Sequence, residues 1–538
     1  MKMISKFGIM AGALLCGISI TAAGQNFCPQ RPTYGDEVVN PPEVSSQNGT
    51  LTVSLAENSS LGPTQMVRYC YVYNNGNGNV ESPTLRVNPG DNLVINFTNN
   101  ISVTGGVNGA RVLKSRHAPN KPMMMGDPEM AKKTGDYCMG GMVDATTTNI
   151  HFHGLNIPPL CHQDEVTNTI IPNGGSQFEY DTQIPPNDQF GMYWYHPHPH
   201  GFSAPQVFGG AAGSIIINGS NQYTQGLPER IIQIRNNADM RTDDEDGQFS
   251  VNFVPTNYPF KPLPVINTVP NQKEFWRVLN ASTNGFLTLQ IYTDHALPLL
   301  VVSIDGIPLN PPQSMTTVSI PPAARAEFVV PELQANVTTR LLTTGFDTGS
   351  IGDPMRPWVL ANVVVSTGNA KKEPRRMPPA VKQTRVERFS GVAGKKPNVQ
   401  RSLYFSEINV GSNGPGQFFI TVDGQVPKVF DAMNPPAIVT KIGNVEDWTV
   451  RNQTAEPHAF HIHQLHFLVT AIDGVPVANP YLADTITVPE WAGSGPFHSV
   501  TMRMDFSDPQ IAGKFVYHCH ILDHEDGGMM ATIEVDPN

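Results

Sequence analysis

At 538 residues the chain is longer than one hydrophobic core usually organises, so several domains are expected. Charged residues are only 15% while 47 glycines and 48 prolines punctuate the chain, a mix that suits short strands and turns better than long helices. A formal charge of -11 leaves no basic stripe for a phosphate backbone, which excludes nucleic acid as an expected partner.

In chain order, Lys2 and Lys6 precede an apolar run from Phe7 to Ile20 and then the small residues Thr21, Ala22 and Ala23. That is the layout of a secretory signal over residues 1–24, and it predicts export to the periplasm or the medium. No later run of about 20 apolar residues follows, so no transmembrane segment is expected. Cleavage removes Cys16 and leaves Cys28, Cys70, Cys138, Cys161 and Cys519. An oxidising compartment favours disulfides, and the odd count sets one thiol aside. Cys519 is the natural one; the other four allow two bridges in any of three pairings.

A strand pattern recurs three times: "PGDNLVINFTN" ending at Asn99, "PNQKEFWRVLN" ending at Asn280 and "GNVEDWTVRN" ending at Asn452. Each is a turn, alternating apolar residues and a closing Asn, at domain-sized intervals. The expectation is an all-β chain of three β-sandwich domains, at 40–218, 219–372 and 400–538. Residues 373–399, basic and rich in Pro and Gly, read as an exposed linker. Within the first domain a loop carries Met123, Met124, Met125, Met130, Met139 and Met142. Thioethers suit Cu(I), so this loop reads either as a cuprous-ion site or as flexible packing.

"GMYWYHPH" (Gly191 to His198) in the first domain and "GKFVYHCH" (Gly513 to His520) in the third are versions of one strand, whereas the middle domain has no such pair. The middle domain therefore reads as a spacer. Twelve of the 16 histidines fall in four windows: His151 and His153; His196, His198 and His200; His458, His461, His463 and His466; His518, His520 and His524. Residues i and i+2 of a strand share a face, so each His-x-His aims two imidazoles one way. Four such pairs supply eight nitrogens, too many for one ion and suited to a cluster of about three. Cys519, between His518 and His520, must point to the opposite face. His458, His524 and Met529 are within reach of it, and two His, one thiolate and a weak Met make a blue-copper electron-transfer set.

These motifs resemble the multicopper oxidases, the family of laccases, bilirubin oxidases and bacterial cuprous oxidases, over nearly all of the mature chain. The resemblance implies three cupredoxin-like Greek-key β-sandwich domains and four copper ions. It implies type 2 copper on His151 and His461, and a type 3 pair on His153, His196, His198, His463, His518 and His520. Type 1 copper would lie on His458, Cys519, His524 and axial Met529, at a lower or middle potential that favours easily oxidised donors. Glu525 is placed like the proton-relay acid of the bacterial enzymes. Asp164, in "CHQDEV", looks like the acid that follows the first pair, with Glu165 as the alternative. His162, His200 and His466 lie outside the ligand pattern. The implied activity is a laccase-like oxidase that takes single electrons from phenolic or similar small aromatic reductants and reduces O2 to water; a monomer is expected. A cuprous oxidase, or a copper-binding assembly protein without catalysis, are the alternatives.

Overall fold

The computed structural model describes residues 28–102, 123–126, 136–236, 249–353, 355–366, 374–380, 388–408 and 416–537. The expected signal and residues 127–135 of the Met loop lie outside them. Strands build three pairs of sheets. The first pair has five strands in each sheet, the second seven and five, the third six and five. Each pair encloses its own apolar core. Leu51, Ile95 and Tyr180 belong to the first, Trp276, Phe328 and Leu360 to the second, and Trp448, Phe460 and Tyr517 to the third.

The thrice-repeated strand sits inside each sandwich as Asn92–Asn100, Glu274–Asn280 and Val445–Asn452. Its alternation is literal in the first, where Leu93, Ile95 and Phe97 are buried and their neighbours less so. The closing Asn has a common task. The Oδ1 of Asn99 accepts from the amide of Ile101 at 2.9 Å, that of Asn280 from Ser282 at 3.2 Å, and that of Asn452 from Thr454 at 2.9 Å. Each Nδ2 donates to nearby carbonyls. A short amide side chain thus closes the turn that follows each strand, satisfying buried backbone groups that no sheet partner reaches.

Four strands and two short helices position the site: β1 (His151–His153), β2 (Gly191–His196), α1 (Ser203–Gly209), β3 (His458–Ile462), β4 (Gly513–Cys519) and α2 (Leu522–Asp526). β1 and β2 pair antiparallel with His151 opposite His196; β3 and β4 pair antiparallel with His461 opposite His518. Of the three disulfide pairings open to sequence, the structure takes Cys28–Cys70 and Cys138–Cys161, and Cys519 is a free, buried thiol.

The linker corrects one expectation, because its described parts are not simply exposed. The carbonyl of Arg375 accepts from the Glu229 amide at 2.7 Å, and Met377 is buried on the middle sandwich. Arg388 is buried as well, with Nη1 donating to the Asn156 carbonyl at 2.6 Å and lying 3.6 Å from Asp188. A basic stretch can be buried where its cations find acceptors, which composition alone does not reveal.

Candidate metal centre

Strand alternation turns β1 and β2 of the first sandwich, and β3 and β4 of the third, into facing donors of imidazoles. His151 stacks on His463 with ring centroids 3.7 Å apart, and His153 on His461 at 3.9 Å. Eight rings meet between the two sandwiches. Three groups have their nitrogens within 4.8 Å of one another: His151 with His153 and His461, His153 with His196 and His520, and His198 with His463 and His518.

All eight are buried, and most present a nitrogen with nothing to bond. His196 Nδ1 is held by the Pro197 carbonyl at 2.9 Å and His461 Nδ1 by the Asp484 carbonyl at 2.8 Å, leaving both Nε2 atoms unpartnered. His151 is held through Nδ1 by Asp164, again leaving Nε2 unpartnered. His153 is turned the other way, with Nε2 3.2 Å from Asp484 Oδ1 and Nδ1 unpartnered. In the third group His518 Nε2 lies 3.4 Å from His198 Nε2 and 3.2 Å from His463 Nε2. Burial, then the neighbouring rings, pushes His151, His463 and His520 far below the ordinary imidazole range, and His196 down to about 3. Neutral rings with converging lone pairs in a dry space are costly as packing and suited to metal ions. Such a donor set fits copper.

On the opposite face of β4, Cys519 joins the third core beside Phe460, Tyr517 and Met529. Its Sγ is 3.6 Å from His458 Nδ1 and 3.9 Å from His524 Nδ1, and those two nitrogens are 3.2 Å apart. The Cys519 amide donates to the Met529 carbonyl at 3.0 Å, so backbone pairing fixes the Met beside the thiol. Burial pushes the Cys519 thiol far up, so a cation is needed to hold it as thiolate, and this too fits copper. The Asn452 turn reaches the site directly, since Thr454 Oγ1, anchored on Asn452 Oδ1 at 2.8 Å, lies 2.7 Å from His458 Nε2. Phe418 stacks on His524 at 4.3 Å.

The expected acids separate cleanly. Asp164 reaches His151 Nδ1 at 3.0 Å and accepts from the Phe152 amide at 2.9 Å and Gln464 Nε2 at 2.5 Å; burial raises its pKa well above the carboxylate range. Glu165 instead accepts from Thr167, Asn168 and Thr169 in its own loop. Glu525 lies 3.1 Å from His518 Nδ1 and 3.5 Å from His198 Nε2. Burial opposes its charge, yet His198 and His518 together hold its pKa well below the usual range. Of the extra histidines, His162 is exposed and stacks on Phe178, while His200 and His466 are buried beside the clusters.

Three further acids were not singled out from sequence. Asp484 bonds His153 and forms a double ion pair with Arg325, so the middle sandwich does more than space the other two. Asp526 caps α1 from α2, and Glu456 lies 3.3 Å from His524 Nε2. Each acts on a partner remote in sequence, which no local spacing displays.

Histidine clusters shared by two β-sandwiches, with one cysteine wired into them, define a copper-dependent redox protein. Family models described as "Multicopper oxidase" match residues 142–222, 193–343 and 406–538. A multicopper oxidase of Staphylococcus epidermidis is 24% identical over 461 residues, covering 82% of this chain and 85% of that protein. A laccase of Bacillus subtilis is 22% identical over 525 residues, covering 89% and 92%. Among solved structures, a Campylobacter jejuni multicopper oxidase described as a metallo-oxidase superposes with a TM-score of 0.66 at 22% identity, covering 94% of this chain and 96% of that one. A laccase-like multicopper oxidase of Ochrobactrum sp., described as active towards lignin model compounds, superposes with a TM-score of 0.59 at 19% identity, covering 93% and 100%. The chain belongs to the multicopper oxidase family. It is a copper-dependent oxidoreductase with O2 as acceptor, on an all-β scaffold of cupredoxin-like domains.

Proposed function

We propose that the chain is a laccase-like oxidase with four copper ions. His458, Cys519, His524 and Met529 hold type 1 copper, and His151 and His461 hold type 2. The type 3 pair divides between His153, His196 and His520 on one side and His198, His463 and His518 on the other, a division supported by the nitrogen groups. Bound copper supplies one-electron acceptance at the cysteine and four-electron reduction of O2 to two waters at the histidine clusters.

The observation that supports this reading most is the position of Cys519. Its side chain enters one group of donors while its two peptide bonds lead to His518 and His520 in the others. That gives electrons a covalent route between the faces of one strand. The acids have roles to match. Asp164 holds the proton of His151 Nδ1 and so keeps Nε2 free, while Glu525, between His518 and His198, is placed to pass protons to oxygen. Small phenolic or aromatic reductants are the proposed donors, entering near His524. Two disulfides support an exported protein.

Cu(I) as donor is favoured by one observation. In the short hairpin Met123–Gly126 and Gly140–Val143, Met124 stands directly opposite Met142, and both are exposed. A cross-strand thioether pair suits a soft ion. Dioxygen uptake by copper-loaded protein, followed in parallel with a methoxyphenol and with Cu(I), separates the two. Faster uptake with the phenol supports the laccase reading, and faster uptake with Cu(I) moves the protein to copper detoxification. Cys519→Ser tests the electron route: it should abolish blue colour and turnover together, and turnover that survives would refute the route.

A further inference from the structure

The middle sandwich reaches the clusters through Arg325 and through Asp305, whose Oδ2 accepts from the Asp484 amide at 3.2 Å. Arg325, at the start of the strand Arg325–Val330, is fully buried, and its guanidinium touches all three sandwiches. Nε donates to the Met192 carbonyl of β2 at 3.2 Å, and Nη2 to the Asp305 carbonyl at 3.0 Å. Toward the third sandwich it makes a two-pronged pair with Asp484, Nη1 to Oδ1 at 2.8 Å and Nη2 to Oδ2 at 2.6 Å. A planar fork of this kind fixes the plane of a carboxylate as well as its position.

What Asp484 does with that fixed plane matters to the clusters. Its Oδ1 accepts from His153 Nε2 at 3.2 Å, so Nδ1 of that ring is the nitrogen left free. Its backbone carbonyl accepts from His461 Nδ1 at 2.8 Å, so there Nε2 is left free. One residue therefore imposes opposite tautomers on two imidazoles stacked 3.9 Å apart. His466, a buried histidine that the ligand pattern leaves out, has its Nε2 2.9 Å from the Asp305 carbonyl and 3.3 Å from Asp484 Oδ2. The backbone makes room for the pair: a Cβ on Gly154, the residue after His153, would lie 2.4 Å from Arg325 Nη2 and 2.6 Å from Asp484 Oδ2.

We propose that Arg325 is a positioning residue for the oxygen-reducing centre: by clamping Asp484 it sets which nitrogens His153 and His461 present to copper. This rests on the reading of those two histidines as ligands. A group that orients a metal-binding imidazole commonly costs 10–100-fold in metal affinity or activity when lost. Type 1 copper, with ligands in the third sandwich alone, serves as an internal control of folding.

The experiment compares native protein, Arg325→Met, Arg325→Lys and Gly154→Ala after copper loading. It measures copper per chain, blue absorption, the paramagnetic signal of type 2 copper and O2 turnover. Arg325→Met should keep its blue colour, lose type 2 copper or change its signal, and turn over O2 at least tenfold more slowly. Arg325→Lys, which restores the charge without the fork, should recover only part of this. Gly154→Ala crowds the pair but also strains the backbone beside His153, where φ is +84°, so it is read only together with Arg325→Lys, which keeps the question open to test if Arg325→Met does not fold. An unaltered type 2 signal in the folded variants would overturn the proposal. So would loss of type 1 and type 2 copper in parallel with melting, which would make Arg325 a general brace. Native protein that takes up no copper would bring down the ligand reading first, and this inference with it.

Discussion

Glu57 is fully buried, with Thr148 Oγ1 donating to Oε2 at 2.5 Å; among the described residues no ion pair is formed with it and Oε1 has no hydrogen-bond partner. Burial pushes its pKa up from 4.5 to about 8. Between those values the unfolded chain has released a proton that the folded chain keeps, so this residue lowers stability as pH rises, by at most about 1.4 kcal/mol per pH unit. Below the window, and above about pH 8, its contribution is flat. Glu57→Gln should remove that slope, so its stability advantage over the native protein grows from pH 5 to pH 8 in denaturant melts; a constant difference would mean the acid is already ionised. Glu525 is the opposite case, a buried carboxylate whose charge His198 and His518 favour. If it passes protons, Glu525→Gln should slow reoxidation by O2 on the order of 100-fold while reduction by the donor stays near native. Stopped-flow reoxidation at an unchanged rate would remove it from that role.

At the scale of elements, the first and third sandwiches carry the same strand with different contents. Placing "GMYWYHPH" on "GKFVYHCH" sets Pro197 against Cys519, Phe202 against His524 and Val207 against Met529. The first domain thus has the imidazole face but no electron-transfer face. Alternation made this legible, because i and i+2 share a face in any strand, and β4 does send Cys519 into the core and His518 to the clusters. Contacts between elements were not legible. α1 begins at Phe202 without a side-chain cap of its own, and its free amides are taken by Asp526 of α2, which accepts from Gly201 at 2.9 Å, Ser203 at 3.2 Å and Ala204 at 2.8 Å. Over 300 residues separate the partners, so nothing near "HEDGG" announces the role. Asp526→Ala leaves those buried amides unpaired and should cost about 1–3 kcal/mol in urea melts. A variant as stable as the native protein would mean that water replaces the cap.

For the whole molecule, the decisive fact is that each of the three nitrogen groups draws on both the first and the third sandwich. No single sandwich offers a complete set for these three groups, so copper can occupy them only where the two are docked. A ligand that binds the native state alone stabilises it by about 2.7 kcal/mol at one hundred times its Kd. Copper in these groups must then stabilise the docking as well as the folds, and unfolding of either sandwich must release it. Hydrogen exchange resolves this by segment, with Ile95 marking the first core and Val450 the third. Copper loading should slow exchange in both cores, and in the third by more, because that sandwich alone also holds the Cys519 donors. Cys519→Ser should lose the extra protection of the third core and leave one common factor in both, because it removes a donor that belongs to the third sandwich alone. Protection confined to the third core would show copper sitting only at Cys519, with the eight histidines serving as packing.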